Sequence, residues 1–201
     1  ACGEPATLVE ALIEQGPAIG DLSVFIATSF SGSFTPAVPF AVSSMGAIGA
    51  LRTLAAAQRL DVVPCHVSRI GPLIAAGTLP CDVAFVQLSP AVDGVHSLGL
   101  ISDHVLDAVA RARVVVAEVN DQVPFTHGAT LPAAAVDHAV HVSRPPVEVT
   151  PGRIGPTDEA IAKHVAGFVE DGSVLQVGVG AVPDAVLRLL RDRTDLGVHS
   201  G

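Results

Sequence analysis

One stretch limits the fold more than any other: Asp171 to Gly201, DGSVLQVGVGAVPDAVLRLLRDRTDLGVHSG. The apolar run Ser173 to Val177 reads as a buried parallel strand. It ends at Gly178 and Gly180, and helical spacing resumes from Val182 to Arg191. A strand that turns through glycine into a helix gathers unpaired backbone N–H groups at a helix N-terminus. Such a turn suits a phosphate, a carboxylate or a developing oxyanion. Gln176, a polar residue in an apolar strand, stands immediately before it.

Two familiar phosphate motifs do not fit. Gly178-x-Gly180-x-x-Pro183 has proline where a dinucleotide fingerprint needs its third glycine, and no G-x-x-x-x-G-K-[ST] occurs. A purely structural turn is the remaining bland alternative.

The rest of the chain reads as α/β scaffold. Glu4-Pro5 opens a helix through Leu8, Val9, Leu12 and Ile13, which Gly16-Pro17 should end. Leu22 to Ala27 suits a strand, followed by the small polar loop Thr28 to Ser33. Gly49 to Arg59 is helix-like, and Leu60 to Val63 is a short strand stopped by Pro64. Ser68 should cap a helix through Ala76, with Gly77 as its stop, and Asp82 to Leu88 is the next strand. Ser102 should cap a helix through Ala110. Val114 to Val119 is the strongest strand signal, with Asn120 at its carboxyl end. Val136 to Val142 is a further strand before the four-proline loop Ser143 to Pro156, and Thr157 caps a helix through Val169.

Strands alternating with helices at this spacing imply an open, mainly parallel α/β sheet with flanking helices. Its ligand crevice is expected outside the carboxyl ends of the strands. Ser89, Asn120 and Gln176 to Gly180 all fall at such ends and are the candidate crevice residues. Asn120 could equally satisfy a loop backbone.

Composition narrows the partners. The 201 residues are 49% hydrophobic and only 15% charged, with a mean hydropathy of +0.54. Such a chain has more apolar surface than one small domain hides, so part of it should meet another chain or domain. No apolar run approaches the ~20 residues of a membrane span. A net charge of −9, with Lys163 the single lysine, argues against a nucleic-acid surface. Cys2, Cys65 and Cys81 form no C-x-x-C pair and read as buried free thiols in a reducing, cytoplasmic setting. The chain begins at Ala1 and shows no secretory leader pattern.

Other chemistries find little support. His138 and His141 lie three apart on a predicted strand and so on opposite faces, while His96, His104 and His127 fall in or beside loops without ligand spacing. No metal site is expected. Ser29, Ser89 and Ser200 lack a G-x-S-x-G elbow.

Four stretches, in order, give the chain a likeness: GEPATLVEAL, CDVAFVQLSP with SLG, VVVAEVNDQVPFTHG, and VLQVGVGAVPDAVLRLL followed by DLGVHS. Together they resemble the acetyl-CoA hydrolase/transferase family of the class I CoA-transferase superfamily. The resemblance implies a NagB/RpiA/CoA-transferase-like fold of two related α/β halves. Residues 1–150 would form the first half, and residues 151–201 the crossover and the start of the second. By the resemblance and by ordinary domain sizes, roughly twenty residues at the front and most of the second half would lie outside this sequence.

The resemblance also implies chemistry. In the family a glutamate attacks an acyl-CoA thioester to give an acyl-glutamyl anhydride. CoA thiolate converts this to a glutamyl-CoA thioester, and an incoming small carboxylate takes the CoA. Coenzyme A would be a substrate, with no tightly bound cofactor, and a homodimer that needs the second half is implied. Gln176 and Gly178 would donate to the thioester oxyanion, and Gly180 would let the backbone approach the acyl group. The family's nucleophilic glutamate follows the HS or HT of the LGVHS-like motif, and Gly201 occupies that position here. That departure keeps two further expectations open: acyl-CoA hydrolysis without the covalent glutamate, and a catalytically silent CoA-binding homologue or subunit. Glu118 and Glu170 are expected to be structural.

Overall fold

The computed structural model describes residues 3–150 and 152–199. The chain divides into two compact units, Ala1–Glu148 and Val149–Gly201.

In the first unit, helix α1 (Ala6–Ile19) leads into strands β1 (Ser23–Phe25) and β2 (Ala41–Ser44), helix α2 (Leu51–Ala56) and strand β3 (Leu60–Val62). A 3-10 turn (Val67–Arg69) and helix α3 (Ile70–Ala75) precede strands β4 (Val83–Leu88) and β5 (Val95–Ser97). Helix α4 (Val105–Arg111), β6 (Val114–Asn120), β7 (Thr130–Pro132) and β8 (His138–Val142) complete the unit. Two parallel three-stranded sheets result, in the orders β1-β2-β3 and β4-β6-β8, and β5 pairs antiparallel with β7. The open, mainly parallel α/β architecture is therefore present.

Each sheet is held by its own core. Val9, Phe34, Phe40, Val42, Leu51 and Leu54 close around the first. Around the second, Ala84, Val86 and Leu88 pack with Val115, Ala117 and Val119, and Val105, Ala108 and Val109 of α4 lie against them. Burying one such aliphatic side chain contributes about 1.5–3 kcal/mol.

Several local expectations change. Helix α1 runs through Pro17 to Ile19 and stops at Gly20, which has φ +92°. Gly16 is a packing residue rather than a stop, because a Cβ there would lie 2.7 Å from Pro39 Cγ. Ser68 does not cap α3. His66 holds the N-cap of the preceding 3-10 turn, and its ring accepts from the Ser68 N–H. His104 and Gly155, not Ser102 and Thr157, sit at the N-caps of α4 and of the next helix. Strands β2, β5 and β7 are three or four residues long, too short to show periodicity.

The second unit holds helix α5 (Pro156–Ala166), strand β9 (Val174–Leu175), helix α6 (Ala181–Leu189) and strand β10 (Gly197–Val198). Strands β9 and β10 pair in parallel. Ala162, Val169, Ala185, Val186 and Leu190 form the core. The strand expected to be buried is not: Val174 is 72% exposed. The helices pack at Leu175, and the alternating side chain of the strand points the other way. Among the described residues, no helix is long and apolar enough to cross a membrane.

Candidate functional site

Helix α1 carries no side-chain cap of its own, because Pro5 occupies its N-cap. Its open N–H groups are served from a distant strand. Glu118 of β6, fully buried, accepts from the backbone N–H of Thr7 at 2.6 Å and of Leu8 at 3.4 Å. Gln87 of β4 donates from Nε2 to the other Glu118 oxygen and to the Glu4 carbonyl. The Glu4 carboxylate in turn accepts from the Ser29 and Ser31 hydroxyls and from the N–H groups of Phe30 and Ser31. The polar loop after β1 is thereby tied down as scaffold.

The carboxyl ends of β4 and β6 are built the same way. Fully buried Ser89 donates its hydroxyl to the Pro90 carbonyl and accepts the Ser97 N–H at 3.0 Å. Asn120, also fully buried, donates to the Arg144 carbonyl and accepts from the N–H groups of Gln122 and Arg144. Both side chains spend their hydrogen-bonding groups on backbone, so they shape the strand ends rather than present themselves to a ligand. Arg144 then reaches Thr7 and forms a two-pronged pair with Glu10, with contacts of 3.0 and 3.1 Å. That hydrogen bond holds the Glu10 carboxyl below its ordinary range and raises the Arg144 guanidinium.

A cleft of about 430 Å³ opens beside these strand ends, lined among others by Pro90, His96, Val119, Asp121 and His141. His96 lies on β5 rather than in a loop. Its Nδ1 is 2.7 Å from the Ser89 carbonyl oxygen. A carbonyl only accepts, so Nδ1 carries the hydrogen and Nε2 keeps its lone pair in the neutral ring. No sequence signal singles out this residue, because metal-ligand spacing does not reveal it and the three-residue strand Val95–Ser97 shows no period.

A smaller cleft of about 210 Å³ holds Ser68, Asp103, His104 and Asp107. The His104 ring meets Phe25 edge-on, with centroids 5.9 Å apart. Burial pushes its pKa below the ordinary value, against the pull of Asp103 and Asp107. Burial likewise raises the pKa of the Cys81 thiol. Among the described residues, no three His, Cys, Asp or Glu side chains are grouped to hold a metal ion.

The glycine turn belongs to the second unit. Gln176, Gly178 and Val179 are exposed. Gly180 is the N-cap of α6 with φ 149° and ψ 173°, a conformation essentially restricted to glycine. Gly178 differs: its φ is not positive and a Cβ there would meet nothing within 4 Å. Among the described residues, the N–H groups of Gly178, Val179 and Gly180 have no hydrogen-bond partner. Gly178 and Val179 are exposed, Gly180 is half-buried, and all three lie at the positive end of a nine-residue helix. Gly201 lies outside the described residues.

Residues 1–151 match the acetyl-CoA hydrolase/transferase N-terminal domain. The chain belongs to the acetyl-CoA hydrolase/transferase family. The 4-hydroxybutyrate coenzyme A transferase of Clostridium kluyveri is 34% identical over 100% of this chain and 48% of its own length. The succinyl-CoA:cyclohexane-1-carboxylate CoA transferase of Geobacter metallireducens is 34% identical over 70% of this chain and 32% of its own. The crystal structure of 4-hydroxybutyrate CoA-transferase from Porphyromonas gingivalis matches with a TM-score of 0.71 and 29% identity, covering 100% of this chain and 48% of that one. RipA from Yersinia pestis matches with a TM-score of 0.87 and 26% identity over 99% of this chain and 50% of its own. The chain spans about half the length of the transferase it matches end to end.

Proposed function

We propose that the protein carrying this chain moves coenzyme A between an acyl-CoA and a small carboxylate. The observation that carries this reading is the set of N–H groups at Gly178, Val179 and Gly180 that have no hydrogen-bond partner among the described residues, at the start of α6 beside the exposed Gln176. A thioester carbonyl under attack develops negative charge on oxygen, and donors already fixed in place stabilise that charge without reorganising. One such donor contributes about 3 kcal/mol to the transition state. Gln176 and the Gly178 N–H are the donors in this reading. Gly180 supplies the backbone shape that aims them, and the turn leaves open space where an acyl group needs close approach.

Substrate classes follow the relatives, whose names specify 4-hydroxybutyrate and succinyl-CoA with cyclohexane-1-carboxylate. A short or medium acyl-CoA and a small carboxylate are the partners proposed here. CoA serves as substrate rather than resident cofactor, and a homodimer in a reducing, cytoplasmic setting completes the reading.

Gly201 favours a second reading, because glycine stands where the family places its nucleophilic glutamate. A silent CoA-binding homologue would bind acyl-CoA at the same turn and not exchange it. The full-length protein, incubated with butyryl-CoA and acetate and analysed by mass spectrometry, separates the two. Acetyl-CoA formation with a glutamyl-CoA adduct supports the transferase. Thioester binding without exchange or adduct supports the silent homologue.

A further inference from the structure

The sequence contains two Asp-Gly pairs, Asp93–Gly94 and Asp171–Gly172. Both are exposed, yet they are held in opposite ways. Asp93 and Gly94 form the two-residue tip of a tight turn, where the Val92 and Val95 N–H groups donate to each other's carbonyls at 2.8 and 3.0 Å. Both tip residues have positive φ, 50° and 79°, as a type I′ turn requires. Among the described residues, the Asp93 carboxylate has no hydrogen-bond or ion-pair partner, and the peptide group joining Asp93 to Gly94 is unbonded at both its carbonyl and its N–H. A Cβ on Gly94 would meet nothing within 4 Å, so that peptide has room to rotate. At the second pair the reacting groups are engaged. Asp171 Oδ1 accepts the Thr194 N–H at 2.9 Å, and the Gly172 N–H donates to the Thr194 carbonyl at 3.0 Å.

An aspartate followed by glycine closes on itself readily, because no side chain shields the glycine nitrogen. That nitrogen attacks the side-chain carboxyl carbon. A bond from nitrogen to Cγ forms, and the carboxyl hydroxyl leaves with the amide hydrogen as water. Water then opens the resulting succinimide. Opening at the α-carbonyl leaves the chain running through Cγ as isoaspartate, one methylene longer and equal in mass to the original. No reagent besides water takes part.

We propose that Asp93–Gly94 is a site of spontaneous isoaspartate formation, that the bonds to Thr194 protect Asp171–Gly172 from it, and that conversion loosens β5. The added methylene falls in the turn directly before that strand. There the Gly94 carbonyl accepts the Ala133 N–H at 2.9 Å, and Val95 begins the pairing with β7. A lengthened tip no longer closes the Val92–Val95 pair in register with β7.

The test keeps the full-length protein at near-neutral pH and physiological temperature for several weeks. After digestion, the peptides carrying each pair are resolved by chromatography, and electron-transfer fragmentation distinguishes isoaspartate from aspartate at equal mass. Isoaspartate is expected to accumulate at Asp93 about tenfold faster than at Asp171 or more, because two hydrogen bonds must open first at Asp171. Asp93→Asn, which the same turn favours, should convert faster still, with ammonia leaving in place of water. No isoaspartate at Asp93, equal rates at the two pairs, or an Asp93→Asn protein that keeps its amide would overturn the site. Hydrogen exchange on the separated isoaspartate form reads the consequence. The Val95 and Ser97 amides, bonded to the Val92 carbonyl and the Ser89 hydroxyl in the native turn, should exchange faster, and unchanged protection would overturn the loosening of β5.

Discussion

Glu118 Oε2 accepts the Thr7 N–H at 2.6 Å across 111 residues of sequence. A strand of the second sheet thereby caps the helix that packs on the first. The helix needs the help because Pro5 offers no capping side chain. Replacing Glu118 with leucine should lower the unfolding free energy by about 3 kcal/mol, since it leaves buried N–H groups unsatisfied. Urea denaturation measures this directly. Glu10→Gln, which removes the charge of the exposed pair with Arg144, should cost less than about 1 kcal/mol in the same assay.

The two glycines of the turn should behave differently. Gly180→Ala forces an L side chain into φ 149° and should cost about 1–3 kcal/mol of stability. Gly178→Ala meets no neighbour and should leave the denaturation curve unchanged. A loss of acyl-CoA turnover in Gly178→Ala at native stability would then report crowding of a ligand, not damage to the fold.

Stability should fall as pH drops below neutrality. Burial holds the folded-state pKa of His104 below the ordinary value of 6.5, so the unfolded chain takes up its proton first. This contribution is complete above the unfolded value and is lost as pH falls through that value toward the folded one. Denaturation midpoints measured at about pH 7.5, 6.5 and 5.5 should decline, and His104→Phe should flatten the decline attributable to this residue. Identical pH profiles for the two proteins would contradict the assignment.

The parallel α/β class, the strong strands β4 and β6 and the glycine turn were all readable from apolar runs that end in polar or glycine residues. The short strands β2, β5 and β7 were not, because three or four residues carry no period. Pro17 misled by its position: α1 continues through it for only two more residues before Gly20 ends the helix. Ser89 and Asn120 were correctly placed at strand ends. Their partners, Ser97 and Arg144, come from elsewhere in the chain and decide what those side chains do. The hydrogen bond of His96 Nδ1 to a carbonyl seven residues away was not legible from spacing among histidines.

The measurement closest to the central claim is CoA exchange from butyryl-CoA to acetate by the full-length protein, native and with Gln176→Leu. Gln176 is exposed, so its replacement tests the donor without disturbing a core. The account predicts acetate-dependent acetyl-CoA formation, reduced about a hundredfold in Gln176→Leu with an unchanged unfolding curve. Full exchange in the variant, or none in the native protein, would contradict it.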